Sequence, residues 1–165
     1  MKVLIAFVTA GLLGLGAGGR ADEKKSEVKG TLTLGEKKYA MAHAIAYENM
    51  GPFKMKETVV ILTEKPLDTA KLKASFKKNG NDEDFFPNAD HIKLIFAESD
   101  KGKLTQLAIQ SGGGTMIRQG DKNIRAEATV KDGSVKGTSG TIKADKARDG
   151  LFEFAVEFEI VLIKP

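Results

Sequence analysis

Residues 39–47, "YAMAHAIAY", decide how this chain is read. Alanine and methionine favour a helix, yet a helix of this composition would be apolar all round, which only a wholly buried helix tolerates. With period two the segment separates cleanly. Tyr39, Met41, His43, Ile45 and Tyr47 share one face, and Ala40, Ala42, Ala44 and Ala46 the other. The stretch before it, "VKGTLTL" (28–34), also alternates, and "GEKK" supplies a turn between the two. A strand is therefore expected over 39–47. Its alanine face predicts close approach by another element, either a facing strand or the helix described below. His43, flanked on its face by Met41 and Ile45, is expected to be buried and neutral. A tyrosine hydroxyl or a cross-strand backbone group would satisfy its ring.

Working outward, period two persists almost everywhere. "KETVVILTE" (56–64) is apolar on both faces, as a central strand is. "KPLDTAKLKASFKKNG" breaks the pattern: Asp68 or Thr69 can cap a helix, Leu72 and Phe76 form its narrow apolar stripe, and Gly80 ends it. Further strands are expected over 91–97, 103–110, 115–131, 134–144 and 151–163, joined by the short connections "ESDKG", "RQGDK", "KDG" and "DKARDG". The last would be about 43 Å long at ~3.3 Å per residue, so a bend or bulge is expected midway. The pattern implies an all-β fold (a β-rich α+β fold by count). It reads as an antiparallel meander of about eight strands, barrel-like or a sandwich, with one short helix inserted after the third strand.

The chain begins "MKVLIAFVTAGLLGLGAGGRADEKK": a basic start, an apolar run from Val3 to Ala17, then small residues and charge. This is the layout of a secretory signal peptide cleaved after Ala21, too short and glycine-rich for a stable membrane span. Residues 22–165 would then form a single domain in a secreted or periplasmic location. The whole chain carries +4; removing residues 1–21 takes away Lys2 and Arg20 and no acid, leaving +2. That is an ordinary solubility charge and gives no footprint for nucleic acid. There is no cysteine, so the core alone must hold the fold.

Candidate sites are sparse. Asp82, Asp84 and Asp90 crowd one loop beside His91 and could offer calcium some of the oxygens it needs, although the spacing does not match an EF-hand. No other cofactor is implied. Zinc would require His43 and His91 to meet. Neither Ser111 nor Ser139 lies in a nucleophile elbow, and the glycines at 112–114 lack the lysine and helix of a phosphate loop. The adjacent Phe85 and Phe86 cannot both bury on one strand face; they would plug an end of the barrel or meet a partner.

"GTLTLGEKKYAMAHAIAY" (30–47), "VVILTEKPLD" (59–68), "GTIKAD" (140–145) and "LFEFAVEFEI" (151–160) together resemble a group of uncharacterised secreted bacterial all-β proteins. In these a strand-borne histidine follows a tyrosine, and an "LTxxPL" segment leads into a helix. The resemblance implies export and a β fold, and no activity. The expectation is a non-enzymatic domain that binds an apolar small molecule or an envelope protein, with Tyr39, His43, Tyr47, Phe85 and Phe86 as ligand-contacting candidates. The alternatives are a metal-dependent or hydrolytic enzyme using His43 and the acidic loop 82–91, and a purely structural envelope protein.

Overall fold

The hairpin implied by the alternation is present. In the computed structural model, which describes residues 26–51, 54–85, 87, 89–98, 102–111, 114–147 and 150–164, β1 (Glu27–Leu34) pairs antiparallel with β2 (Lys37–Ala40). The expected leader, residues 1–21, lies outside the described residues. The strand expected over 39–47 is interrupted. Pairing with β1 stops at Ala40, and β3 (His43–Met50) begins a new ladder with β4 (Lys56–Thr63). The two residues between are a corner. The Met41 N–H donates to the Gly30 carbonyl at 3.0 Å, and the next N–H, of Ala42, donates to the Thr63 carbonyl of β4 at 3.1 Å.

This corner reverses the phase of the alternation. Before it, Tyr39 and Met41 face the main core; after it, Ala44 and Ala46 do, while Ile45 and Tyr47 turn to the opposite side. Two expectations are corrected as a result. His43 is exposed at the start of β3 and is not a core histidine. The alanine face is split: Ala40 and Ala42 are exposed, whereas Ala46 is fully buried.

Beyond β4, the sheet continues antiparallel through β5 (His91–Ala97), β6 (Leu104–Ser111) and β7 (Gly114–Arg118). β4 is central, with Val59 to Thr63 all buried. Helix α1 (Thr69–Asn79) starts where Asp68 accepts the Ala70 N–H at 3.0 Å. It ends where Gly80, at φ 73°, donates to the Phe76 carbonyl. Leu72, Phe76 and Phe85 cover Ile45, Tyr47, Val59 and Ile61, the Phe76 ring meeting Tyr47 edge-on at 5.8 Å. The helix thus packs on the tyrosine face of β3, and it follows the fourth strand because the corner divides the second.

The second half adds β8 (Ile124–Lys131), β9 (Ser134–Thr141), β10 (Asp145–Ala147) and β11 (Gly150–Ile163). β11 pairs with β1 along one edge and with β9 and β10 along the other. Its final residues, Leu162 and Ile163, then run parallel to Ala46 and Tyr47 of β3. The fold is all-β with one helix, but it is not a meander of eight antiparallel strands. There are eleven strands among the described residues, one pairing is parallel, and the main order is β2-β1-β11-β3-β4-β5-β6-β7. The sheet curls around its core far enough for Phe96 of β5 to meet Phe158 of β11 at 6.4 Å. It does not close into a barrel. Between β6 and β8 the described residues hold one isolated bridge, Lys103 to Glu127, and one flanking bond, Ala128 N–H to the Gly102 carbonyl at 3.2 Å.

Candidate functional site

The residues singled out from sequence do not converge on one pocket. Tyr39 lies against the main core with its hydroxyl 3.2 Å from that of Ser111. Tyr47 is fully buried on the other face of the sheet, beneath α1 with Phe85. Phe85 therefore fills the space under the helix and plugs no barrel end; Phe86 lies outside the described residues. His43 and His91 occupy one row of the sheet, but Thr63 stands between them. Two strand spacings, about 10 Å, separate their backbones. His91 is the buried histidine, with Nδ1 2.8 Å from the Ala89 carbonyl. Burial lowers its pKa below the ordinary imidazole value, the bond to Ala89 opposing.

The acidic loop is engaged by cations and donors of the chain itself. Asp82 accepts from the Tyr47 hydroxyl at 2.7 Å and from Lys93 at 2.8 Å, both on Oδ2. Burial, then the neighbouring Asp82 charge, raises the Tyr47 phenol far above its ordinary range, so it stays a donor. Asp84 pairs with Lys78 of α1 instead. Among the described residues no three His, Asp or Glu side chains are gathered as metal ligands. These contacts bind the loop to the helix and sheet. That is an anchoring role, which a run of acids in sequence cannot distinguish from a cation loop.

Space appears elsewhere, along the seam between β6 and β8. Two cavities flank the Lys103–Glu127 bridge, one of about 360 Å³ and the other of about 320 Å³. The larger is walled by Phe96, Ala97, Ala128 and Val130, with Glu48, Glu98 and Lys56 among its described lining; Glu57 borders it too, but its carboxylate meets Asp82 and Lys93 on the α1 side of the sheet. Burial, and secondarily the Asp82 charge, pushes the Glu57 carboxyl above its ordinary value, while Lys93 pulls it down. The smaller cavity is bordered by Arg118, Arg125 and Asp121. Arg118 bonds Asp121 at 2.6 Å and Asp145 at 2.9 Å and lies over the Phe152 ring at 5.0 Å. Its bond holds the Asp121 carboxyl below the usual carboxylate range. Arg118 thus caps one end of the core.

Sequence reasoning missed this seam. The available signal was "NIRAEATVK", whose inward positions Ile124, Ala126 and Ala128 shrink just where a central strand would bury bulk. A further shallow trough, lined by Gly30, Thr31, Gly140 and Ala155, lies on the outer surface of β1, β11 and β9. Among the described residues no helix is long and apolar enough to cross a membrane. Comparison of the chain with protein families, curated proteins and solved structures finds no match.

Proposed function

We propose that this chain is an exported, secreted or periplasmic, non-enzymatic β domain that binds another protein, with the β6–β8 seam as its contact surface. One observation carries the reading: the core is packed with Phe96, Phe152, Phe154 and Phe158, while the cavities described above open beside a sheet junction that holds one bridge among the described residues. An apolar small molecule held inside a barrel has less support, because aromatic side chains occupy that interior. The enzymatic alternative has less still, with His43 exposed, His91 buried, and Asp82 and Asp84 held in separate ion pairs. The test is a two-dimensional amide NMR titration with a mixture of short peptides and small apolar fragments. Shifts concentrated in residues 102–105 and 124–131 are expected. Shifts confined to α1 or to the outer trough, or none at all, would overturn the seam as the contact surface.

A further inference from the structure

Helix α1 carries the whole of the chain's excess charge. Lys71, Lys73, Lys77 and Lys78 lie in it without a single acid, and the 26 basic residues of the chain less these four leave 22 against 22 acidic ones. All four lysines are exposed. At about 100° per residue they fan out over the side of the helix opposite the buried Leu72 and Ser75. Lys73 and Lys77 form one rail, Lys71 and Lys78 the other, and the exposed Ala70 and Ala74 make a low crest between them.

Such a face destabilises a helix left in water. Lys73 and Lys77 stand at i and i+4, where like charges repel. Lys71 is the third residue of the helix, beside the positive end of its dipole, in a first turn that holds no acid. Lys78 pairs with Asp84, but among the described residues Lys71, Lys73 and Lys77 form no ion pair. The acids nearest in sequence, Glu64, Asp68, Glu83 and Asp84, precede or follow the helix, and Asp68 is occupied as its cap. An anionic partner relieves both penalties. The kind of anion follows from the spread of the lysines. They diverge around the crest and do not converge on a single phosphate. The crest itself offers only alanine, with no aromatic or arginine anchor of the sort on which protein interfaces centre. A flat layer of many phosphates fits both facts.

We propose that α1 lies along the surface of an anionic phospholipid bilayer, with the rails Lys73–Lys77 and Lys71–Lys78 reaching its phosphates on either side of the alanine crest. The apolar stripe of the helix is already committed to the core beneath it, so the contact is electrostatic and peripheral, without insertion. It goes beyond the protein-binding role of the seam and uses none of the seam's residues.

Co-sedimentation with large unilamellar vesicles tests this on the purified protein. The vesicles are phosphatidylcholine alone, or phosphatidylcholine with about 40% phosphatidylglycerol. At about 50 mM salt, partition onto the anionic vesicles should exceed that onto the neutral ones at least about tenfold, and about 500 mM salt should abolish the difference. Each lysine near such a surface contributes about fivefold, so the triple variant Lys71→Gln, Lys73→Gln, Lys77→Gln should lose about a hundredfold. These side chains are exposed, so the variant keeps the fold, and its melting temperature should hold or rise as their repulsion is removed. A second triple variant, Lys29→Gln, Lys38→Gln, Lys143→Gln, removes the same charge from exposed positions outside α1 and should lose less than about fivefold. Parent and variants share one N-terminus, so binding through an apolar leader would be common to all three and would survive salt. Equal partition onto the two kinds of vesicle, equal losses in the two triple variants, or anionic binding that persists at high salt overturns the proposal. Preference for soluble polyphosphate over the vesicles at equal phosphate concentration would make the occupant a free polyanion, and would likewise overturn it.

Discussion

At Met41 and Ala42 the polypeptide itself turns from one part of the sheet into the other, and two consecutive amides hold it to Gly30 on one side and Thr63 on the other. β11 makes the same passage nearby, leaving β1 and finishing beside β3. At the seam between β6 and β8 the chain crosses as a loop, residues 119–123 between β7 and β8, and among the described residues the facing strands are joined by one bridge and one flanking hydrogen bond. The buried side chains follow this difference. Around the corner Leu32, Met41, Ala46, Val60 and Phe154 are at most 2% exposed, whereas β8 contributes no fully buried residue. A crossing whose amides bond to strands on both sides seals a sheet junction, whereas a crossing made by a loop leaves cavities beside it.

The largest test removes bulk on each side of that comparison. Phe154→Ala should cost about 3–5 kcal/mol in urea unfolding, the usual range for emptying a buried aromatic site. Val130→Ala, at an exposed position of β8, should stay within about 0.5 kcal/mol. Comparable losses would break the comparison. Next, Ala46→Leu should cost about 1–3 kcal/mol by overpacking the main core. Ala42→Leu, at an exposed position of the same corner, should again stay within about 0.5 kcal/mol. This pair sharpens the claim that the phase reverses at residues 41–42, because unbroken alternation would make the two alike.

Gly102 tests the seam. It holds φ at 79°, and an added Cβ would overlap the Ala128 carbonyl oxygen. Gly102→Ala should cost about 1–2 kcal/mol. Its damage should be confined to chemical shifts of β8 and residues 102–105, leaving the corner unmoved. The smallest effect concerns His91, which faces Thr63 across the β4–β5 ladder close to the corner. Its pKa is lowered from 6.5 on folding, so the unfolded chain takes up a proton that the folded chain resists. The His91 contribution is therefore whole above about pH 6.5 and is lost as pH falls from there toward the folded value. Unfolding midpoints measured from pH 7.5 to 5.5 should decline in the parent and decline less in His91→Asn.

Much of the architecture could be read from local pattern. The cap at Asp68, the stop at Gly80, the central burial of β4 and the Phe-bearing face of β11 all follow from residues within a few positions of one another. The errors have one origin. Tyr39 to Tyr47 alternates without a flaw in sequence, and the phase break at Met41–Ala42 comes from Gly30 and Thr63, both far along the chain. Unbroken alternation therefore buries His43, which is exposed, and gives Tyr39 and Tyr47 one face when they line two cores. The same limit hid the candidate site. Glu48, Thr58, Glu98 and Val130, which line its larger cavity, come from four different segments, and only the curl of the sheet assembles them. The acids of residues 82–90 were conspicuous in sequence because they are adjacent, yet Asp82 serves Tyr47 and Lys93 while Asp84 serves Lys78.

Residue-resolved amide hydrogen exchange tests most directly whether one junction is sealed and the other open. The amides of Met41 and Ala42, bonded across the corner, should exchange only with global unfolding and carry nearly the full stability of the domain. The Ala128 amide, bonded across the seam at 3.2 Å, should exchange through local opening, at least about a hundredfold faster. An Ala128 amide as protected as those of Met41 and Ala42 would mean that the sheet is closed in solution, and would contradict the open seam.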